Sequence, residues 1–194
     1  MRNLLIKMAV RTRFALTSRN KVSLQIRRSL DAYLALSQQI KREHGAVRVE
    51  VPRMPGVDEE MRNWSFFMIL EHNAIVNRGI TSIIQSLVRG EEPEGAGAID
   101  MKRDVRPSRN PGEAQIQIFR ASVEDHLQMI PSLGRLRRGL RTPHPIFGRF
   151  DAHNWNCMFG LHLYIHYKQA EYVIRKISAE KGGGAESAQT RTAG

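Results

Sequence analysis

Apolar residues recur every three or four positions in four segments of the chain, and breaks rich in proline, glycine or charged residues separate these segments. A recurrence with this period indicates amphipathic helices that each bury one face. The predicted helices run from about residue 18 to 43, from 61 to 90, from Ser122 with a kink at Pro131, and from residue 151 to about 178. The sequence therefore predicts an all-α fold, and four helices of this kind favour a four-helix bundle.

Two connectors differ from simple turns. The stretch "VRVEV" at residues 47–51 alternates as a short strand would, but the prolines that follow it favour an extended connector. Residues 91–117 are polar, with three prolines and three glycines, and loops of this length are usually functional or disordered. The predicted organisation is a poorly ordered basic leader over residues 1–17, a single bundle domain over 18–180 and a disordered tail over 181–194.

The positive charge is concentrated near the start of the chain. Residues 1–46 contain ten Lys/Arg against two acidic residues and carry most of the net charge of +11. This bias is compatible with nucleic acid, an anionic membrane surface or acidic partners, although a solvated basic face is the ordinary explanation. No helix-turn-helix or zinc-finger motif is present, so a nucleic-acid partner is not expected.

The apolar runs and the cysteine content limit the expected location. No run of about 18 apolar residues exists, so neither a transmembrane helix nor a membrane partner is expected. The single cysteine, Cys157, excludes an intramolecular disulfide and is typical of a reducing compartment. A cytoplasmic protein is therefore the expectation.

Two histidines lie four residues apart in the last predicted helix. At about 100° per residue, His162 and His166 are separated by ~40° and share a stripe with Trp155, Phe159 and Val173. A buried imidazole needs a polar partner, and two on one stripe suggest a shared one. Two histidines with this spacing form half of a transition-metal site, because zinc normally takes three or four protein ligands.

His72 is the candidate for a third ligand. It lies within the second predicted helix on an apolar face, although a core histidine bonded to a carbonyl or a polar side chain is the alternative. His153 lies on the opposite face from His162 and is discarded. His126 stands beside acidic residues and is expected to be exposed, and His144 in a connector is expected to serve a local turn or packing.

Two motifs resemble the DinB-like (DinB/YfiT) metal-binding four-helix bundles. The stretch "HPIFGRFDAHNWNCMFGLHLYIHYKQAEYVI" is similar to the last helix of that family, and "NWSFFMILEHNAIV" is similar to its second helix. The matching positions are Pro145, Phe147, Gly148, Asp151, Trp155, His162, His166 and Gln169 in the first motif and Trp64, Ser65, Glu71 and His72 in the second. The resemblance covers residues 60–90 and 143–178, while the basic N-terminus and the 91–117 loop depart from it.

The resemblance implies a metal site and a class of chemistry. In the family, one histidine of the second helix and two of the fourth hold a divalent metal, which here implies His72, His162 and His166. Zinc is the first expectation, with nickel, iron or manganese as alternatives, and three histidines with an open fourth position are typical of a catalytic site. Family members that use low-molecular-weight thiols imply a thiol-dependent S-transferase or a hydrolase acting on a small-molecule substrate. A non-catalytic metal-binding stress-response protein is the alternative, and a homodimer is expected.

Other side chains are candidates for supporting roles. Trp64, Phe147 and Trp155 are candidates for a substrate pocket, with core packing as the alternative for each. No general base is identified, since Glu71 points about 100° away from its neighbour His72 and is expected on the surface or behind the ligands.

Polar residues behind the ligands cannot be ranked from the sequence. Tyr33, Asn73 and Gln169 are candidates for bonding to the ligating imidazoles. Three arginines, Arg135, Arg137 and Arg138, could receive an anionic thiol, although a solvated charge run is the default interpretation.

Overall fold

The computed structural model describes residues 2–93 and 104–189. Within these residues the chain is mostly helical, with two short hairpins and one 3₁₀ turn (Glu59–Met61). In chain order the helices and strands are α1 (Arg2–Leu16), α2 (Arg19–Gln38), α3 (Arg42–Gly45), β1 (Arg48–Glu50), β2 (Asn63–Ser65), α4 (Phe66–Arg89), α5 (Ala114–Ser132), β3 (Thr142–His144), β4 (Gly148–Phe150) and α6 (Ala152–Gln189). The predicted all-α class is therefore confirmed.

The four long helices α2, α4, α5 and α6 enclose the core. α6 packs along α2 and α4, and α4 also packs on α5. Each helix contributes large side chains that are almost completely buried, among them Ile26, Tyr33, Ile69, Phe119 and Phe159. Because burial of each such side chain contributes roughly 1.5–3 kcal/mol, the apolar stripes seen in the sequence supply the main force that holds the helices together.

Serine side chains define where two of these helices begin. Ser18 and Ser65 are in extended conformation before α2 and α4, and each side-chain oxygen accepts a hydrogen bond from a backbone N–H of the first turn at 3.3 Å. Such caps satisfy amide donors that have no partner inside the helix. α4 ends at Gly90, whose φ of 77° is left-handed and suits glycine.

The stretch "VRVEV" forms a strand rather than the predicted extended connector. β1 pairs with β2 in antiparallel register, with Val49 opposite Trp64. The prolines lie beyond the paired residues, so they remove no hydrogen bond from this ladder. Because β2 leads directly into α4, the hairpin fixes Trp64 beside the first turns of that helix.

Several boundaries differ from the predicted ones. α5 begins at Ala114, well before Ser122, and ends one residue after Pro131, so the proline marks a helix end instead of a kink. α6 continues to Gln189, beyond the predicted end near residue 178. Residues 94–103 of the predicted long loop and 190–194 of the predicted tail lie outside the described residues.

The segment predicted as a loosely attached leader is helical. α1 spans Arg2–Leu16 and contacts α6, and the Phe14 side chain lies in the core against the ring of Phe150. Burial of Phe14 supplies an anchor that the charge count did not reveal. In the part of the chain described, no helix is long and apolar enough to cross a bilayer.

Candidate metal centre

Three imidazoles meet between α4 and α6. His72 comes from α4, and His162 and His166 come from consecutive turns of α6. One potential ligand atom from each lies within 4.8 Å of the other two, and Nε2 of His72 is 3.1 Å from Nε2 of His162. The structure thus brings together the three histidines singled out in the sequence, and this group could hold a metal ion.

The ring of His72 is held by a backbone carbonyl. Its Nδ1 is 2.7 Å from the carbonyl oxygen of Val105, in the segment before α5. A carbonyl only accepts, so Nδ1 carries the proton, and the hydrogen-bond network thereby assigns the tautomer. The Nε2 lone pair of His72 is consequently directed at His162.

A glutamine fixes His166 in the same tautomer. The Nε2 amide of Gln169 donates to the Met61 carbonyl at 2.7 Å, which leaves the Oε1 atom facing the imidazole. Nδ1 of His166 donates to that oxygen at 2.8 Å. The proton is therefore on Nδ1, and Nε2 of His166 carries a lone pair. Metal-binding histidines commonly donate their second nitrogen to an outer acceptor in this way.

His162 completes the group with an unsatisfied nitrogen. Within the described residues its buried Nδ1 has no hydrogen-bond partner. If Nδ1 bears the proton, two lone pairs oppose each other across the 3.1 Å between His162 and His72. A proton placed between them would serve one pair of nitrogens, whereas a cation can accept lone pairs from all three rings. The donor set therefore fits a divalent metal.

Burial keeps the three imidazoles neutral at ordinary pH. Loss of hydration lowers the pKa of His72, although its bond to Val105 opposes this effect. Burial, with added repulsion from His72, lowers the pKa of His166 to about 3. Burial followed by repulsion from the other rings lowers the pKa of His162 well below its ordinary value. Neutral imidazole is the form that binds metal, so the site needs no deprotonation step at neutral pH.

The aromatic residues predicted for a pocket divide into two groups. The ring of Trp64 lies 5.0 Å from that of His72 and is stacked at 6.5 Å on His166, so it covers one side of the candidate metal centre. Phe147 and Trp155 instead pack on His144, with ring centroids 5.1 and 5.2 Å away.

Of the three polar residues predicted to bond to the imidazoles, one does so. Gln169 bonds to His166, as described above. Tyr33 and Asn73 instead bond to each other at 3.2 Å, and Tyr33 donates to the Leu163 carbonyl.

Glu71 and Arg137 each connect two distant segments of the chain by hydrogen bonds. Glu71 accepts from the backbone N–H and the hydroxyl of Ser108, both at 2.8 Å, so its carboxylate fastens the segment before α5 to α4. Arg137 donates to the Thr17 carbonyl at 2.8 Å and ties the α5–β3 connector to the start of α2.

His126 is buried, and the prediction that it is exposed was wrong. Its ring stacks on Phe159 at 3.7 Å, Nε2 lies 3.0 Å from the side-chain oxygen of Asn156, and Nδ1 lies 2.9 Å from the hydroxyl of Thr81. Burial lowers the pKa of His126 to about 4, against the effect of the Asn156 bond. These contacts make it a neutral core residue.

Two further histidines have roles away from the candidate metal centre. Nδ1 of His144 accepts from the backbone N–H groups of Ile146 and Phe147, which is the local turn role predicted for it. His153 is buried on the opposite side of α6, with Nε2 3.0 Å from the Phe14 carbonyl. Its separation from the three-histidine group agrees with its exclusion on facial geometry.

The sequence did not indicate the carbonyls that orient two of the rings. Val105 and Met61 act through backbone oxygens, and every residue carries such an oxygen. The one available signal was Gln169, whose amide connects His166 to Met61 and which the motif already contains.

Comparison of the chain with protein family models, curated proteins and solved structures found no significant match. The likeness to the DinB-like family accordingly depends on the two sequence motifs, and the case for a metal depends on the geometry of the three imidazoles.

Proposed function

We propose that this chain is a divalent-metal-dependent enzyme with a DinB-like four-helix bundle formed by α2, α4, α5 and α6. One observation carries the proposal: three neutral imidazoles converge between α4 and α6, and two of them have their Nδ1 protons fixed by outer acceptors. An arrangement that only filled the core would not require Nε2 atoms of two rings to face each other at 3.1 Å.

In this proposal His72, His162 and His166 hold the metal, with zinc as the first choice. A bound zinc ion lowers the pKa of a water or thiol ligand and so supplies a nucleophile at neutral pH. Val105 and Gln169 orient two of the rings. The reaction class that follows is thiol-dependent S-transfer to an electrophile, or hydrolysis, with a low-molecular-weight thiol as the proposed co-substrate.

Two neighbours of the imidazoles, Trp64 and Glu71, do not bind the metal in this proposal. Trp64 shields one side of the imidazoles from water, which strengthens electrostatic interactions there. The carboxylate of Glu71 accepts two hydrogen bonds from Ser108 and is therefore not assigned as a general base. We assign no other described residue to proton transfer.

Because no group for proton transfer is assigned among the described residues, one alternative is favoured: a metal-binding protein without catalysis. In this alternative the metal stabilises the fold and the protein acts as a metal-dependent scaffold or sensor. The two proposals share the metal site and differ in whether a thiol or water bound there is turned over.

The metal site is tested by measuring bound zinc in single and double alanine variants of His72, His162 and His166. Each single change should remove most of the zinc, because two imidazoles are too few for tight binding. A second change should remove little more, since the three groups act as a unit. His153→Ala is the matched control, because it removes another buried histidine of α6 and should leave zinc content unchanged. Full zinc occupancy in His162→Ala would refute the assignment.

Turnover assays distinguish the enzyme from the non-catalytic metal-binding scaffold. The zinc-loaded protein is assayed with glutathione and monobromobimane for S-transfer and with p-nitrophenyl acetate for hydrolysis, and the same preparation of His162→Ala gives the background rate. Zinc-dependent turnover above that background supports an enzyme. Stoichiometric zinc with no turnover for either pair supports the scaffold.

A further inference from the structure

The outward face of α1 is apolar, which is the reverse of an ordinary surface helix. Phe14 anchors the opposite side of α1 in the core and is 3% exposed. Taking Leu4 as the origin, residues 5, 8, 9, 12, 15 and 16 fall within an arc of about 140°, and Thr12 is the one polar residue among them. Leu4, Leu5, Met8 and Leu16 are between 58% and 80% exposed. Water-exposed helices normally present polar residues on this side.

Cations border this apolar face on both sides. Arg13 falls about 40° beyond one edge, and Lys7 and Arg11 fall about 20–60° beyond the other, where Arg11 also donates to the Phe147 carbonyl at 3.0 Å. α1 contains no acidic residue, and the first acid of the chain is Asp31 in α2. An apolar face between two rows of cations matches the cross-section of a membrane interface, with acyl chains in the middle and anionic headgroups at the sides.

We propose that α1 docks parallel to the surface of an anionic lipid bilayer, with Leu4, Leu5 and Met8 inserted among the acyl chains and the flanking cations on lipid phosphates. In this binding mode α1 lies in the interface and does not cross the bilayer. The surface is independent of the candidate metal centre, because α1 contacts His153 and Cys157 on the side of α6 away from His162.

Charge complementarity favours a bilayer over a second copy of the chain. Two copies joined through this face would bring two cation-bordered helices together without a carboxylate on either. Nucleic acid is also disfavoured, since phosphate contacts require cations at the centre of the exposed face, and apolar residues occupy that position.

Vesicle flotation of the full chain tests the proposal. The wild type is mixed with phosphatidylcholine vesicles, or with phosphatidylcholine and phosphatidylglycerol vesicles, and the bound fraction is compared with that of Leu5→Glu/Met8→Glu. Both changed positions are more than half exposed, so this variant should fold, which melting temperature and far-UV circular dichroism verify. Leu24→Glu is the matched control, because Leu24 is an exposed leucine of α2 at 49%.

Wild type and Leu24→Glu should bind the anionic vesicles at least about tenfold more tightly than neutral ones, and the double variant should lose at least about tenfold. Lys7→Gln/Arg13→Gln should lose anionic selectivity, and brominated lipid should quench a tryptophan placed by Leu5→Trp. No binding to anionic vesicles, or equal binding by Leu5→Glu/Met8→Glu, overturns the proposal. A wild-type dimer that the double variant converts to monomer, without vesicle binding, would instead identify the face as a subunit contact.

Discussion

Replacing His126 with glutamine should make the protein less sensitive to acid. In the folded protein burial lowers the pKa of His126 to about 4, from an ordinary value of 6.5 in the unfolded chain. Between these values the unfolded state binds a proton that the folded state does not, so stability falls as the pH is lowered. The stabilisation is complete above about pH 6.5 and is lost progressively as the pH falls from there to about 4.

The size of this effect follows from the two pKa values. Their difference corresponds to on the order of 3 kcal/mol over the whole range. At about pH 5 roughly 2 kcal/mol of that should already be lost, because the folded protein still excludes the proton there. His126 is completely buried, so solvent screening does not reduce this figure.

Urea unfolding of chelator-treated protein at about pH 7.5 and pH 5 measures the effect. Wild type should lose about 2 kcal/mol more than His126→Gln between the two conditions, since acid effects on the other histidines cancel in the comparison. Ile130→Val, a mild and non-titrating change of a buried residue in the same helix, should parallel the wild type. An equal loss in wild type and His126→Gln would refute the link between burial and titration.

Three further substitutions test the site and the helix packing. Gln169→Leu removes the acceptor that holds the ring of His166, and zinc affinity measured by chelator competition should fall roughly 10–100-fold. Gly45→Ala places a Cβ 2.2 Å from the buried ring of Phe67, so the free energy of unfolding should fall by about 1–3 kcal/mol. Gly79→Ala should raise it by roughly 0.5–1 kcal/mol, because its Cβ meets no atom within 4 Å inside α4, and a loss of stability there would contradict this reasoning.

Local periodicity predicted most of the helices and the three-histidine group. His162 and His166 share a face of one helix, and the repeat of an α-helix determines this without knowledge of the fold. His72 followed from the same reasoning, since a polar residue on an apolar stripe is buried when the helix packs. Periodicity does not give the distance between His72 on α4 and the two histidines on α6, and only the packed structure does.

The predictions that the structure contradicts failed for physical reasons. In α5 the start "AQIQIF" alternates with a period of two, so it carries no helical signal, and packing of the helix determines its conformation. Glu124 and Asp125 suggested that His126 was exposed, but immediate neighbours lie about 100–200° around a helix and do not indicate its face. The basic composition of residues 1–17 favours a poorly ordered leader, and composition gives no indication that Phe14 is buried in the core.

The candidate metal centre and the segment before α5 are linked through two consecutive residues of α4. His72 bonds to the Val105 carbonyl, while Glu71 on the adjoining face holds Ser108 by two hydrogen bonds. A cation bound through Nε2 of His72 would fix the direction of its Nδ1 proton and thereby strengthen the bond to Val105. Because linkage is reciprocal, a ligand that binds residues 104–108 more tightly when the cation is present must raise the affinity of the histidines for the cation by the same factor. A substrate that packs against this segment could therefore tighten metal binding without touching the metal. The spacing of the histidines in the sequence gives no indication of this coupling.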